Sequence, residues 1–504
     1  MNSKMFRKGP QNTALVYRLL WMFSASFAML VNIGCGTVTT PAITKPVNQP
    51  LGNTSVTLTA SGTADARVSK FIVPLTTITL TDASGNTISI LPTPLTVDFI
   101  HINGVLEPLA TVNIPQGTYT SATAAVGGPA FFCIAHDPVK DGLLNAEFAS
   151  GQIPASQINV NLPAPITITG TAMTLTLNLL VSPSATFSPC LDAPNYPYSI
   201  TPTFTLSPVA SPVAPTPSSN TNVSGLLAII GSLNTSGNGF SANPIGNYFA
   251  QSNVDKPMWQ VTTTPTTVYQ GVTSFSSLTP DMTVDMDTTI QPDGSLVATR
   301  IAVYDPDTTN QTVSQGPLLY QNEYQTSIED FGVEGQGPRY GINATTYDFN
   351  NSIYHISGEL TNISSLPFNP SFTPTSMVAG QNAFFTTHVL HATGGFPYTQ
   401  ADTITLLPQT INGTVDSIST SGNFTTYTIS LAPYDLFPNL AVQGGQKTLL
   451  NNPATVVVYA DNKTQLLNTT PIAAGTVLRF HGLVFNDNGT LRMDCEQIND
   501  GVPN

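Results

Sequence analysis

Strand-forming segments separated by turn residues are the feature that most limits what this chain can fold into. Residues 71–80 lead into the turn cluster Asp82-Ala83-Ser84-Gly85-Asn86, and residues 87–91 return, which predicts a β-hairpin. Thr, Val and Ile, which favour strands, are abundant, and 37 Gly and 41 Pro interrupt them. Because no long run of Ala, Leu, Glu and Lys has helical spacing, the sequence predicts an all-β protein.

Residues 54–206 have the pattern of a Greek-key-like β-sandwich. An alternating segment, 97–102, ends at the turn pair Asn103-Gly104. Gly117-Thr118-Tyr119-Thr120 then opens another strand, where we expect the tyrosine ring to pack and its hydroxyl to bond nearby backbone. This order of pieces resembles an N-terminal domain of many bacterial lipoproteins, a family of unknown function. The resemblance implies a secreted β-domain and no reaction.

The second half of the chain contains internal repeats. Three segments open with a small residue and Gly before a strand: Val223-Ser224-Gly225, Ile356-Ser357-Gly358 and Ile411-Asn412-Gly413. Two hairpins close alike, Asp293-Gly294-Ser295-Leu296 and Asn488-Gly489-Thr490-Leu491. These motifs resemble a second uncharacterised family, of small OB-like β-barrel repeats in exported bacterial proteins. We therefore expect two or three small β-barrel repeats after the sandwich.

The predicted organisation divides the chain into eight segments. They are a lipoprotein signal peptide (1–34), a Thr/Pro tether (35–53), the β-sandwich domain (54–206), a Pro-rich linker (207–221), a β-barrel repeat (222–305), an irregular excursion (306–354), a degenerate β repeat (355–410) and a second β-barrel repeat (411–504). Proline makes the linker extended and semi-rigid, so the modules are expected to be strung out from the membrane.

The N-terminus has the order of an export signal. Lys4, Arg7, Lys8 and Arg18 precede an apolar stretch that is too short to span a membrane. The ending Asn32-Ile33-Gly34-Cys35 resembles the lipobox of bacterial lipoproteins. The resemblance implies that Cys35 carries acyl chains such as palmitate. Because the following residue is Gly and not the inner-membrane retention Asp, it also implies the outer membrane, facing the periplasm or the cell surface.

The remaining cysteines are Cys133, Cys190 and Cys495. An exported chain meets oxidising conditions, and Cys133 and Cys190 lie in one predicted domain, so we predict that they form a disulfide. Cys495 is left over, and we expect a small buried apolar residue there, with an intermolecular disulfide as the alternative.

The charge balance excludes one class of partner. The chain has net charge −14, and removing the four positive charges of residues 1–34 leaves −18. Only 9% of the residues are charged, so Thr, Ser, Asn and Gln must supply most of the polar surface. An acidic surface repels phosphate backbones, and nucleic acid is therefore not an expected partner.

Asp281, Asp285 and Asp287 are the strongest candidates for a metal site. They share one face of a predicted strand, because Met282, Val284 and Met286 occupy the other face. Clustered carboxylates suit Ca²⁺, but a solvated strand face is the favoured interpretation. The corresponding strand near the C-terminus carries Arg479 and His481, and a metal site encoded by the repeat would not exchange anions for cations.

Other candidates for chemistry are weaker. His388 and His391 are three apart, which places them on opposite faces of a strand, and His136-Asp137 is expected in a loop. Zinc, nucleophile-elbow and Cys-x-x-Cys motifs are absent from the sequence. Loop tyrosines in Tyr196-Pro197-Tyr198 and at Tyr320 and Tyr324 could stack on sugars or peptides.

The sequence thus favours a lipid-anchored cell-envelope protein with a structural or binding role, a glycan or protein ligand, and no cofactor. The alternative is a hydrolase acting on envelope polysaccharide. That reaction requires two carboxylates roughly 5–10 Å apart in a cleft.

Overall fold

The computed structural model describes most of the chain after the N-terminal segment. The described residues are 52–63, 65, 68–100, 102, 104, 106–134, 148–186, 199–209, 222–244, 258–291, 293–305, 312–321, 325–329, 344–349, 351–357, 363–391, 397–433, 435–440, 450–467 and 470–501. Their regular secondary structure is almost entirely β-strand, so the all-β prediction is confirmed. None of the described helices has the length and apolar character needed to cross a membrane.

The first part of the described chain is a sandwich of two sheets. Its strands are β1 (Asn53–Gly62), β2 (Val68–Asp82), β3 (Thr87–Ser89), β4 (Leu95–Asp98), β5 (Glu107–Pro115), β6 (Gly117–Ile134), β7 (Phe148–Val160), β8 (Ile166–Ile168), β9 (Ala172–Leu179), β10 (Ala185–Thr186), β11 (Ser199–Ile200) and β12 (Phe204–Pro208), with a short helix α1 (Val181–Ser184). One sheet has the order β12-β9-β1-β5, and the other contains β3-β2-β6-β7 with β4 and β8 alongside, whereas β10 and β11 form a separate two-stranded pair. Inward residues of both sheets, such as Leu58 and Phe71, form one core.

Two local hydrogen-bond arrangements stabilise the sandwich, and the first of them was predicted from the sequence. The Tyr119 hydroxyl donates to the Pro115 carbonyl at 2.9 Å, and the ring is buried, as expected for a tyrosine at a strand entry. Asp98 ends β4, and its Oδ1 accepts the backbone N–H groups of Phe71 and Ile100, both at 3.2 Å. The carboxylate thereby fixes the turn that follows the strand.

Three five-stranded rings follow the sandwich. The first barrel contains β13 (Asn222–Asn234), β14 (Gly239–Pro244), β15 (Trp259–Gln270), β16 (Thr283–Ile290) and β17 (Leu296–Asp305). The middle barrel contains β18 (Thr312–Gln321), β19 (Gln325–Glu329), β20 (Ala344–Asp348), β22 (Asn382–His391) and β23 (Pro397–Leu406), with β21 (Ile353–Ile356) at its edge. The third barrel contains β24 (Gln409–Ser421), β25 (Phe424–Leu431), β26 (Thr455–Ala460), β28 (Val477–Asp487) and β29 (Thr490–Asp500), with the edge strand β27 (Gln465–Leu466) and a helix α2 (Leu436–Leu440).

The three rings have the same strand connectivity. In each, the first strand pairs antiparallel with the second and the fourth, the second pairs antiparallel with the third, and the fourth pairs antiparallel with the fifth. A parallel pairing between the third and fifth strands closes each ring. The described chain therefore contains three barrel-like repeats, the upper of the two numbers that the sequence allowed.

The predicted irregular excursion, residues 306–354, is wrong. Strands β18, β19 and β20 lie there and form the first three strands of the middle barrel, which extends from Thr312 to Leu406 and not over 355–410. The segments are rich in Thr, Ser and Gln and have little apolar alternation, as in Gln325–Glu329. Their strand conformation depends on hydrogen bonds to neighbouring strands.

The expectation of modules strung out along the chain is also wrong, because residues 51–504 form one compact unit. The sandwich contributes Leu106 to the core of the first barrel, and its Asn178 accepts a hydrogen bond from Arg479 of the third barrel. The middle and third barrels share an apolar cluster that includes Phe385 and Phe485. Most of the predicted linker, from residue 210 to 221, lies outside the described residues, and Ser207 and Pro208 belong to β12.

Candidate functional site

The aspartates that the sequence singled out lie where the first barrel meets the middle barrel. Asp285 and Asp287 are on β16 with side chains on its outer face, whereas Val284 and Met286 are in the barrel core. Asp281 precedes the strand, is exposed, and has φ of +67°. The structure thus brings two of the three candidates together and leaves the third outside.

Arg300 on β17 pairs with both carboxylates. Its Nε is 2.7 Å from Asp287 Oδ2, and its Nη2 is 3.1 Å from Asp285 Oδ2 and 3.2 Å from Asp287 Oδ1. A guanidinium group offers several N–H donors in a fixed plane, which suits two neighbouring carboxylates. The backbone N–H of Gly225 adds a fourth donor, at 3.2 Å from Asp287 Oδ1. These contacts hold β13, β16 and β17 together on one side of the barrel.

Tyr304 and Ser357 extend this cluster into the middle barrel. The Tyr304 hydroxyl donates to Asp285 Oδ2 at 2.8 Å and is 2.6 Å from the Ser357 Oγ. Ser357 follows β21, and its Oγ is 3.5 Å from the same carboxylate oxygen. We call Asp285, Asp287, Arg300, Tyr304 and Ser357 the seam cluster. Its charged groups all belong to the first barrel, and the Ser357 hydroxyl of the middle barrel bonds to Tyr304 and Asp285 across the contact.

Apolar side chains surround the seam cluster. Leu227 and Ile229 pair across from Asp285 and Thr283, and they pack with Tyr304 against Phe384 and Leu407 of the middle barrel. Asp285 is consequently only 3% exposed, which contradicts the solvated strand face that was expected for it. Three oxygens at this contact, Asp285 Oδ1, Thr283 Oγ1 and Thr405 Oγ1, are buried without a protein hydrogen-bond partner.

Sequence reasoning missed Arg300 and therefore missed the neutralising partner of the aspartates. The signal was present in the hairpin that contains Asp293-Gly294. If the two strands of this hairpin are paired residue by residue from the turn, Asp287 comes opposite residue 299. A β-bulge between Asp287 and Thr288 shifts the register by one residue and places Arg300 opposite Asp287. Over the described residues, no three His, Cys, Asp or Glu side chains are arranged to hold a metal ion.

Arg479 and His481, on the fourth strand of the third barrel, also lie at a contact between modules. Arg479 donates from Nε to the Asp500 carbonyl at 3.1 Å and from Nη1 to Asn178 Oδ1 of the sandwich at 3.3 Å. His481 is buried, with Nδ1 at 2.9 Å from the Thr410 Oγ1, and burial lowers its pKa to about 4. The imidazole is therefore neutral at pH 7.

A second carboxylate pair, also missed by sequence reasoning, lies on the third barrel. Burial raises the pKa of Asp494 on β29 to about 6, with a further increase from the negative charge of Asp461 and a decrease from Lys463. Asp461 follows β26, where its Oδ1 accepts the backbone N–H of Lys463 at 2.8 Å. A carboxyl group whose pKa is raised towards neutrality is a feature that general acid catalysis uses.

An arginine among aromatic rings lies on the same barrel. Arg492 pairs with Asp487 at 2.7 Å, and its guanidinium carbon is 5.7 Å from the ring centroids of both Phe368 and Tyr459. Phe368 comes from the segment that precedes β22, and it also packs against Phe485. The contact fastens that segment to the third barrel, since aromatic faces attract the guanidinium group.

The remaining candidates are placed as follows. His388 Nδ1 is 2.7 Å from Asp402 Oδ1 on the surface of the middle barrel, whereas the side chain of His391 lies outside the described residues. Cys495 is a free, buried cysteine, as expected, and burial raises the pKa of its thiol. Cys35, Cys190, His136 and Tyr196-Pro197-Tyr198 lie outside the described residues, as does the side chain of Cys133, so the lipid anchor and the disulfide stay predictions.

Comparison with known proteins adds no relative from which a role could be carried over. No protein-family model matches the chain, and no curated protein is significantly similar to it. The class that the fold defines is an all-β protein built from a sandwich and three barrel-like sheets.

Proposed function

We propose that this chain is a lipid-anchored protein of the cell envelope, located at the outer membrane, with a structural or binding role towards a glycan or a protein. The observation that carries the proposal is that buried charged side chains lie at the contacts between the modules. Asp285, Asp287 and Arg300 neutralise one another at the contact between two barrels, and Arg479 joins the third barrel to the sandwich. We infer that the hydrogen bonds from Ser357 to Asp285 and from Arg479 to Asn178, which cross between modules, fix the relative positions of those modules.

The anchor part of the proposal rests on Cys35 and the residues before it. Acyl chains on this cysteine would retain the protein at a membrane, since each buried methylene contributes about 0.8 kcal/mol. Mass spectrometry of the protein extracted from its native membranes should find the N-terminal peptide starting at an acylated Cys35. A Cys35→Ser variant should leave the membrane fraction. An unmodified N-terminus on an intact leader would contradict the proposal.

The ligand can be sought with the compact unit 51–504, screened against glycans and envelope extracts with and without Ca²⁺. Saturable binding that leaves the ligand intact supports the binding role. Binding that occurs only with Ca²⁺ would favour a metal site that the described residues do not form.

The rival proposal is a hydrolase acting on envelope polysaccharide, and the raised pKa of Asp494, to which the charge of Asp461 contributes, is the observation that favours it. Asp494 would act as the general acid, because its raised pKa keeps a fraction protonated near neutral pH. Released sugar, lost in both Asp494→Asn and Asp461→Asn variants and kept in the Asp416→Asn control, would establish this activity and displace the binding role.

A further inference from the structure

The outer half of β24 is an unprotected sheet edge. Residues Gln409–Thr414 pair with β28 on one side, but among the strands that the structure describes, β25 is the only one that pairs with Ser417–Ser421. All side chains from Asp416 to Ser421 are exposed, including Ile418 at 42%. An edge of this kind presents backbone N–H and C=O groups that another strand can bind.

Other outer strands of the described sheets are protected in ways that β24 is not. In the sandwich, β5, β7 and β12 each contain proline, which cannot donate to an added strand. The edge strands β3, β21 and β27 have four residues or fewer. The five residues from Ser417 to Ser421 contain neither proline nor a charged side chain.

The corresponding edges of the other two barrels are also interrupted. In the first barrel a bulge between Ile230 and Leu233 breaks the outer half of β13. In the middle barrel β18 contains Pro317 and has a bulge between Leu318 and Tyr320. The bulge in β24 lies at Val415/Ser417, before the free edge begins, so the edge itself keeps regular pairing with β25.

We propose that two copies of this chain associate through these edges, with β24 of each copy pairing antiparallel to β24 of the other. A two-fold axis at Ser419 centres the five-residue edge and places Ser417 opposite Ser421 and Ile418 opposite Thr420. Asp416 then lies opposite Gly422, so the pairing brings no like charges together. Hydroxyl side chains opposite one another across strands are favourable pairs.

This self-complementarity is what selects a second copy over a different partner. In a contact with two-fold symmetry, each residue must fit against its symmetry mate without a clash or like charges. Every opposed pair meets this condition in the segment Asp416-Ser417-Ile418-Ser419-Thr420-Ser421-Gly422. The contact is short, so it is expected to be weak in dilute solution and favoured where a membrane anchor concentrates the chain.

Cysteine cross-linking of the full chain in its own membranes tests the register. Ser419→Cys should form a disulfide-linked homodimer under mild oxidation, because side chains directly opposite in an antiparallel pair are within about 5 Å. Asn462→Cys, on an exposed turn of the same barrel, is the matched control. We expect about tenfold more dimer from Ser419→Cys than from the control, because a disulfide forms readily only between cysteines that are held close together.

A mixture of Ser417→Cys and Ser421→Cys chains carrying different tags gives the second readout. The two tags should be found in one cross-linked species, and each variant alone should cross-link less than the mixture. Equal cross-linking of Ser419→Cys and Asn462→Cys would overturn the proposal. Capture of a different protein by Ser419→Cys, in place of a second copy, would also overturn it.

Discussion

Arg300 is the positive charge of the seam cluster, beside the contact between the first and middle barrels. It neutralises two carboxylates, and its side chain and that of Asp285 are 10% and 4% exposed. Removing one partner of a buried ion pair leaves an uncompensated charge in a region of low dielectric. The neighbouring Tyr304 and Ser357 can donate hydrogen bonds but cannot supply a positive charge.

We therefore expect Arg300→Met to lower the free energy of unfolding by about 3–5 kcal/mol. Urea denaturation of the compact unit 51–504 measures this loss. Lys463→Met, which removes an exposed cation from the third barrel, serves as the control. A triple variant with Asp285→Asn and Asp287→Asn added should recover part of the loss. Equal stability of Arg300→Met and Lys463→Met would show that the seam cluster contributes nothing.

His481 gives a pH dependence whose sign can be stated. Its pKa is about 4 when folded and about 6.5 when unfolded, because burial disfavours the imidazolium ion. Its contribution is therefore fully present above pH 6.5 and is lost as the pH falls towards 4, since the unfolded chain takes up the proton first. Relative to His481→Gln, the wild type should lose up to about 3 kcal/mol of stability between pH 7 and pH 4.

Asp435 and Asp494 act in the opposite direction. Burial raises their pKa to about 7 and about 6, so both contribute stability at low pH that is lost as the pH rises through those values. The comparison with His481→Gln removes their effect, because both proteins carry them. A difference in unfolding free energy that does not change between pH 7 and pH 4 would contradict the buried, neutral imidazole.

The turn between β4 and β5 shows how one short element joins two modules. Gly104 has φ of +74°, and a Cβ added there would overlap the side chain of Thr410 on β24. The sandwich and the third barrel therefore meet at a position that only glycine can occupy. The Asn103-Gly104 pair predicts the turn, but nothing near it in the sequence predicts the contact with Thr410.

Gly104→Ala should lower the stability of the compact unit more than Gly85→Ala does. Both glycines have positive φ, but Gly85 lies in a turn with open space around it, so its substitution adds backbone strain alone, about 1 kcal/mol. At Gly104 the collision with Thr410 adds about 1–3 kcal/mol. Thermal or urea unfolding of both variants measures the difference, and equal losses would show that the two modules separate at this point without cost.

The elements that sequence reasoning found are those whose pattern is local. Residues 71–91 alternate around a clear turn and form the β2–β3 hairpin, and the Tyr119 hydroxyl bonds Pro115 as its position predicts. The polar strands β18, β19 and β20 were missed because they have little apolar alternation, and β18 and β20 also pair with β22 and β23, which are distant in sequence. Asp285 and Asp287 were found as a pair, but their burial depends on Phe384 and Leu407, about a hundred residues away.

Contacts between modules decide the shape of the molecule. The first barrel packs on the middle barrel through Leu227 and Phe384, and Gln381 Nε2 donates to the Val484 carbonyl of the third barrel at 2.8 Å. Gln381 is fully buried, and its Oε1 also accepts the backbone N–H of Val378 at 2.8 Å. Such fully bonded buried amides fix one arrangement of their surroundings, since any other arrangement leaves them unpaired.

A single compact body of 51–504 should have a radius of gyration of about 22 Å, as the size scaling of folded domains gives. Small-angle X-ray scattering measures it. Modules separated by an extended linker would give a clearly larger radius and a long tail in the distance distribution. Arg300→Met is the informative variant, because loss of the seam cluster should enlarge the molecule while each barrel keeps its strands, as far-ultraviolet circular dichroism can verify. An extended wild-type profile would show that the seams do not hold in solution, and the proposed structural role of the buried charges would fail with them.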